Sequence, residues 1–160
     1  KQNPAKLNIK DEPIKAFAKI FNSSSTFISR GDDSGTHFKE MNIWRKAKLN
    51  PLKFSGTWYR ETGSGMGATL NLANGMGAYT LSDRASWINF NNKGDLYITT
   101  EKHTALFNQY GVTLVNPSRC PNVKFKNAEK FINWLISKTG QKSIQNFKLK
   151  NQQLFFPNAD

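Results

Sequence analysis

Cysteine, histidine and long apolar runs are scarce in this sequence, and each shortage excludes a class of protein. The single cysteine, Cys120, rules out an internal disulfide framework and a multi-cysteine zinc site. Two histidines, His37 and His103, leave little for a histidine-based metal site. The longest apolar runs, such as residues 154–156, fall far short of the roughly 20 residues that cross a bilayer. The sequence therefore predicts a globular α/β or α+β protein without a metal centre.

Acidic residues are the next shortage, with 11 against 23 basic residues in a chain of 160 and a formal net charge of +12. Such a balance favours anionic partners, which are nucleic acids, anionic membrane surfaces or small anions. The lysines are spread from Lys1 to Lys150 without a block of five or six, and this favours a solvated basic surface over a nucleic-acid footprint. With 38% apolar and 12% aromatic residues, the chain can build the core of one ordinary domain.

Short apolar segments of two different periods alternate along the chain. Asp11 and Pro13 favour a helix start, and a second helix is predicted from His37 to Lys48, with Phe38, Met41 and Trp44 (or Arg45) on one side. Further helices are predicted through Leu70 to Ala73, around Trp87, from Asn127 to a stop at Gly140, and around Ile144 and Phe147. Strands are predicted at residues 26–29, 57–60, 77–81, 96–100, 111–115 and 154–156. Strands that alternate with helices indicate an α/β layer fold.

A polar loop at residues 29–36 lies between a predicted strand and a predicted helix. The start of a helix offers unpaired N–H groups and partial positive charge, which suit an anion. Gly35 allows close approach of a ligand to the backbone, and Ser34 and Thr36 add hydroxyl donors. Arg30 adds a planar fork of five N–H donors. Together these residues predict a pocket for a compact tetrahedral oxyanion.

A purely structural interpretation of the same loop stays open on the residues alone. In it, Asp33 or Ser34 only caps the helix and Arg30 pairs with Asp32. A catalytic interpretation is disfavoured, because Ser34 and His37 would share a helix start rather than form a nucleophile and base oriented by Asp33. No enzyme is therefore predicted.

A second loop, at residues 61–69, carries three glycines between a predicted strand and a predicted helix. It superficially resembles a dinucleotide-binding fingerprint, and Asp83 lies near the distance where that motif places an acid. The polar segment at residues 58–61 is a poor opening strand for such a unit, however. The favoured interpretation is that these glycines let the helix pack against a neighbouring backbone.

Several motifs follow one another in order over almost the whole chain. They are Ser-Arg-Gly-Asp-Asp-Ser-Gly-Thr-His at residues 29–37, Trp-Tyr-Arg-Glu-Thr-Gly-Ser-Gly-Met-Gly-Ala-Thr-Leu at 58–70, the segments 77–84, 110–112 and 115–117, and Phe131, Trp134, Leu135, Gly140 and Gln141. In this combination the sequence resembles the solute-binding proteins of tungstate-specific ABC transporters. The resemblance implies a periplasmic-binding-protein type II-like α/β fold, in which two lobes close on an anion like a hinge. It also implies periplasmic localisation, no enzymatic activity and no cofactor.

The resemblance further implies how the chain is divided. Residues 1–105 are expected to form most of the second lobe, and residues 106–160 to recross the hinge and complete the first lobe. The chain would then hold one α/β lobe plus the C-terminal return segment of the other. The family carries an upstream threonine-rich loop that supplies the opposing half of the site, and nothing like it occurs here. Together with an opening at Lys1 rather than Met, this predicts a processed or truncated product.

Binding roles carried over by the resemblance fall on Arg30, Ser34, Gly35 and Thr36, with Ser29 as a further candidate. The expected partners are a tetrahedral oxyanion, tungstate or molybdate, and a membrane permease, with no nucleic acid among them. No stable self-assembly is expected of the complete protein, whereas a dimer stays open to this chain alone.

The identity of the oxyanion is a separate question, because phosphate-binding relatives share an Arg-x-Asp-x-Ser-Gly-Thr pattern that residues 30–36 also satisfy. Phosphate keeps a hydrogen near neutral pH and rewards a carboxylate acceptor, whereas tungstate and molybdate only accept hydrogen bonds. Asp32 or Asp33 could be that acceptor or could orient Arg30, and the sequence leaves both roles open. The flanking motifs favour tungstate, and its bond lengths are too close to those of molybdate to separate the two. A basic nucleic-acid-associated module is the alternative from another class.

Overall fold

Three short parallel strands organise the first part of the chain. The computed structural model describes residues 2–159, which divide between Phe107 and Asn108 into two compact units. In the first unit the strands are β1 (Phe27–Ser29), β2 (Tyr59–Glu61) and β3 (Tyr79–Thr80), with β1 in the middle. Phe27 is in register with both Tyr59 and Tyr79. Because the three strands run in the same direction, their carboxyl ends lie at one edge of the sheet.

Four helices connect and cover these strands. They are α1 (Pro13–Asn22), α2 (Gly35–Lys46), α3 (Met66–Met76) and α4 (Arg84–Asn89), with 3-10 turns at Pro51–Phe54 and Thr104–Leu106. Proline opens α1, where its missing N–H removes no helical hydrogen bond. The side chains of Ser34 and Asp83 cap α2 and α4. The end of α3 is set by Gly77, whose φ of 58° is the left-handed conformation that glycine adopts freely.

An aromatic core fills the space between one face of the sheet and helices α1 and α2. Phe17, Phe27, Trp44 and Tyr59 are almost completely buried there. The ring centroids of Phe17 and Trp44 are 4.5 Å apart, and pairs of this kind add about 0.5–1.5 kcal/mol beyond the burial of their area. Ile28 points to the other face of β1, where it packs with Ala73 of α3. Helices on both faces hold the sheet edge that carries the polar loops.

The predicted α/β layer fold is confirmed for the first unit, with two corrections. β1 and β3 lie inside the predicted segments and are shorter than these, β2 is shifted toward Glu61, and the strand predicted at residues 96–100 is wrong. Residues 96–98 have no regular secondary structure, residues 99–100 form a bend, and the segment belongs to neither sheet of residues 2–159. The apolar side predicted for α2 is also partly wrong. Phe38 is 62% exposed, whereas Glu40 is buried beside Ile43 and Trp44.

The second unit consists of two helices and a hairpin. Its elements are α5 (Phe125–Ile136), α6 (Lys138–Asn146), β4 (Lys148–Leu149) and β5 (Gln152–Gln153). The hairpin is antiparallel, and its two turn residues, Lys150 and Asn151, both have positive φ angles, as a tight two-residue hairpin requires. Ser137 separates the helices in an extended conformation, and its hydroxyl accepts a hydrogen bond from the Gly140 amide. No helix of residues 2–159 is long and apolar enough to span a membrane.

Several predictions for this unit are wrong. The segments 111–115 and 154–156 are not strands, because neither has a ladder partner within residues 2–159. The first helix begins at Phe125 after Lys124 rather than with a cap at Asn127. It ends at Ile136, and Gly140 lies inside α6 instead of stopping a helix. A Cβ atom at Gly140 would lie 2.1 Å from the carbonyl oxygen of Trp134, so the contact between the two helices requires glycine there.

Candidate functional site

Two loops lie side by side at the carboxyl edge of the parallel sheet. Residues 30–34 follow β1 and lead into α2, and residues 62–65 follow β2 and lead into α3. The two loops are joined directly, because the Arg30 carbonyl accepts hydrogen bonds from the Thr62 hydroxyl at 3.1 Å and the Ser64 amide at 3.3 Å. Ligands of open α/β sheets bind outside this edge, where helix starts add partial positive charge.

The start of α2 keeps part of its donor capacity free. The Ser34 hydroxyl accepts a hydrogen bond from the His37 amide at 3.3 Å, and the Ser34 amide donates to Asp32 Oδ1 at 3.2 Å. The amides of Gly35 and Thr36 have no acceptor within residues 2–159. The capping role of Ser34 that the sequence left open is therefore present. Two unpaired amides next to it are available to an anion.

Arg30 and Asp32 form the ion pair that the sequence left open. The Arg30 Nε and Nη2 groups donate to Asp32 Oδ2 at 3.1 and 2.5 Å, and both side chains are about four-fifths buried. Arg30 Nη1 has no acceptor in the described part of the chain. Hydrogen bonding by Ser34, followed by that of Arg30, lowers the pKa of Asp32 to about 2. Asp32 is therefore ionised at neutral pH and orients the arginine while Nη1 stays free.

Gly31 brings this loop against the end of β2. Its φ of 57° is left-handed, and a Cβ atom would lie 2.8 Å from Cβ of Glu61. The Gly31 amide donates to the Ser29 hydroxyl oxygen at 3.2 Å. Only glycine fits both the backbone angle and the space.

Ser29 differs from the other candidate residues, because it is completely buried. Its hydroxyl donates to Oε2 of Glu40 at 2.7 Å, while Tyr59 and Trp44 donate to Oε1 at 2.8 and 3.1 Å. Burial raises the pKa of Glu40 against these three hydrogen bonds, which favour the ionised form. The structure thus brings Arg30, Ser34, Gly35 and Thr36 to the sheet edge and places Ser29 beneath it.

Glu40 is the residue of this region that sequence reasoning missed. It is an acid in a helix, which ordinarily faces solvent. Its spacing was the available signal, since Ile43 and Trp44 follow at i+3 and i+4 and place Glu40 on their face.

The glycines of the second loop do not serve the packing predicted for them. Cβ atoms added at Gly63, Gly65 and Gly67 would meet nothing within 4 Å, so the interpretation that they allow close helix packing is wrong. Gly63 has a left-handed φ of 58°, which explains that position alone. Gly65 precedes α3 without a capping side chain. The start of α3 therefore has no side chain that caps it.

Metal-ligating side chains are not gathered anywhere in residues 2–159, where no group of three or more His, Cys, Asp and Glu could hold an ion. Cys120 is an exposed free thiol. His103 caps a 3-10 turn by accepting from the Ala105 amide.

The fold and this edge define an α/β binding domain of the periplasmic-binding-protein class. A family model described as "PBP superfamily domain" matches residues 1–139, and the chain belongs to this superfamily. It is 38% identical over 161 residues to the tungstate-binding protein TupA of Peptoclostridium acidaminophilum, across 98% of this chain and 55% of that protein. The resemblance to tungstate-binding proteins is thereby confirmed.

Solved structures agree with this assignment. The tungstate-binding protein TupA of Desulfovibrio alaskensis matches with a TM-score of 0.81 at 40% identity, covering 99% of this chain and 64% of that one. The tungstate ABC transporter structure from Geobacter sulfurreducens matches with a TM-score of 0.74 at 37% identity, over 91% of this chain and 60% of that one. The chain spans about half the length of the curated relatives that it matches.

Proposed function

We propose that this chain supplies one side of an oxyanion site in the solute-binding receptor of an ABC transporter, with tungstate as the ligand. The observation that carries the proposal is the start of α2, where the free amides of Gly35 and Thr36 lie in the same loop as the oriented guanidinium of Arg30. The Thr36 hydroxyl adds a further donor. Such a set of donors suits a fully deprotonated tetrahedral anion.

The state of Asp32 favours tungstate or molybdate over phosphate. Both of its oxygens are engaged, Oδ1 by the Ser34 amide and Oδ2 by Arg30. These bonds occupy most of its lone pairs, so Asp32 is a weaker acceptor for the hydrogen that phosphate carries near neutral pH. Tungstate is preferred to molybdate because a curated relative and a solved structure that each align with nearly all of this chain are named for tungstate.

The receptor role also accounts for the second unit. In this proposal residues 1–105 belong to the second lobe of a two-lobed receptor, and residues 106–160 belong to the first. Phe131, Trp134 and Phe147 are exposed here, and the curated relatives are about twice as long as this chain, so they contain residues that could cover these side chains. The receptor acts in the periplasm without catalysis, and it delivers the anion to a membrane permease.

The proposal is tested by calorimetric titration of the chain with tungstate. Half of a site leaves the anion hydrated on one face, so we expect a dissociation constant on the order of 10 μM or weaker. Arg30→Lys should weaken binding at least about tenfold, because a planar fork becomes a point charge. Arg60→Lys is the matched control, since Arg60 is exposed and, within residues 2–159, its side chain donates only to the Thr57 carbonyl.

Equal affinities for the Arg30 variant and the wild-type chain would remove Arg30 from the site. A titration with duplex DNA tests the alternative class. Binding to phosphate backbones falls steeply as salt rises, whereas a site built from directed donors loses much less. Salt-sensitive DNA binding without tungstate binding would replace the proposal with a nucleic-acid module.

A further inference from the structure

We infer that Glu40 is a positioning residue for the oxyanion loop, acting through Ser29 on the backbone at Gly31. The inference deepens the proposed function and rests on it for its effect on affinity. It concerns a buried carboxylate that does not reach the sheet edge itself. Glu40 is 1% exposed and lies one turn beyond the start of α2.

The contacts form a continuous chain from the core to the loop. Glu40 Oε2 accepts the Ser29 hydroxyl hydrogen at 2.7 Å, and the oxygen of the same hydroxyl accepts the Gly31 amide at 3.2 Å. A hydroxyl has one hydrogen, so this arrangement fixes its direction and leaves its lone pair facing Gly31. Gly31 follows Arg30, so the plane of the peptide between them is set by this bond.

The other carboxylate oxygen is anchored independently of the loop. Oε1 accepts from the Tyr59 hydroxyl of β2 at 2.8 Å and from Trp44 Nε1 of α2 at 3.1 Å. The carboxylate of Glu40 is therefore fixed by donors from α2 and β2, and it in turn fixes Ser29 at the end of β1. A rigid supporting shell of this kind is what keeps a binding loop in its productive geometry.

The chemistry of the carboxylate explains why an acid occupies this buried position. Burial of a charged group costs free energy that an apolar side chain of similar size does not, unless hydrogen bonds compensate it. Only an ionised carboxylate accepts from three donors on two oxygens without offering a hydrogen of its own. A glutamine would turn one oxygen into a donor and leave either Ser29 or the Tyr59 and Trp44 pair without an acceptor.

Ser29 follows from the same geometry. It is completely buried, and its only hydroxyl hydrogen is directed at Glu40. We therefore place Ser29 in a supporting role, in which it affects affinity through the loop and does not donate to the anion.

The test compares two variants that each remove one hydrogen bond to the same carboxylate. Ser29→Ala removes the link to Gly31, whereas Tyr59→Phe removes a donor on the far oxygen and leaves that link intact. The first measurement is the hydrogen exchange rate of the Gly31 amide by NMR. We expect about a tenfold increase in Ser29→Ala and in Glu40→Gln, and less than a twofold change in Tyr59→Phe.

The second measurement is calorimetric titration with tungstate. Ser29→Ala and Glu40→Gln should each weaken binding about tenfold, and the double variant should weaken it no further, because both break one chain of contacts. Tyr59→Phe should change affinity less than twofold, although it should lower the melting temperature of the chain as the other two variants do. If Glu40→Gln does not fold, the Ser29 and Tyr59 pair decides alone.

Three results would overturn the inference. They are unchanged Gly31 exchange in Ser29→Ala, a loss of affinity in Ser29→Ala that Glu40→Gln does not share, and equal losses in Ser29→Ala and Tyr59→Phe. The second result would mean that Ser29 binds the anion directly, and the third that only general stability matters. If the wild-type chain binds no tungstate, the proposed function fails, and the exchange rates still decide whether Glu40 holds the loop.

Discussion

The two units of the chain use similar sequence patterns with opposite results. In the first unit the apolar face of α1 packs against α2 and the sheet, and Phe17 and Ile20 are buried. In the second unit α5 is as clearly amphipathic, yet none of its residues is buried. Gly140 is the one buried residue among residues 108–159. Periodicity therefore predicts a helix and its apolar face, whereas burial depends on a partner surface that the periodicity does not reveal.

The sharpest test of this difference is a pair of tryptophans. Trp44 is completely buried in the first unit, and Trp134 is about half exposed in the second. Trp44→Ala should lower the free energy of unfolding by about 3–5 kcal/mol, because it leaves a large cavity. Trp134→Ala should cost less than about 0.5 kcal/mol. Urea unfolding measures both, and similar costs would mean that the second unit has a packed core after all.

Gly140→Ala tests the one place where the second unit is tightly packed. The added Cβ would lie 2.1 Å from a backbone oxygen of Trp134, which cannot move without shifting the end of α5. Overpacking of this kind should destabilise the junction of the two helices by about 1–3 kcal/mol. NMR shifts confined to residues after Asn108 would locate the effect. An unperturbed spectrum would contradict the close contact of the two helices at Gly140.

Gly31→Ala is the corresponding change in the first unit. A left-handed alanine costs about 1–2 kcal/mol, and the contact with Glu61 adds strain. Gly67→Ala is the control, because Gly67 lies in the first turn of α3 with open space around it. That change should be neutral or should stabilise the chain by up to about 1 kcal/mol. Thermal unfolding of both variants checks the contrast, and equal shifts would contradict the tight contact at Gly31.

The smallest expected effect is the pH dependence that Asp32 gives to the first unit. Its pKa is lowered from 3.8 to about 2 in the folded chain, chiefly by the hydrogen bond with Ser34. A carboxylate with a lowered pKa stabilises the fold fully above its unfolded value, and this contribution is lost as the pH falls from about 4 to about 2. The melting temperature of Asp32→Asn should therefore fall less steeply over that range than that of the wild-type chain. Identical slopes would mean that Asp32 is not held in the loop.

Much of the first unit could be predicted from the sequence, because its signals are local. The helix start at Pro13 and the short helix around Trp87 form as predicted, and the polar loop lies at a strand end before a helix. The strand at residues 96–100 failed because β-branched composition does not supply a ladder partner. Glu40 was missed because an acid in a helix is ordinarily exposed, and its burial depends on donors that include Ser29 and Tyr59 from other elements.

Re-engineering the loop for another anion has to treat positions 31 and 61 as one unit. In a library that varies position 31 alone, every new Cβ lies against Cβ of Glu61. Each new residue must also adopt the left-handed φ of Gly31. Most of its members would fail to fold at the end of β2 before their selectivity could be measured. Gly31→Asn combined with Glu61→Gly removes both obstacles, since asparagine tolerates the left-handed region and the second change clears the space. Sequence diversity at this edge is thus accessible only through paired changes.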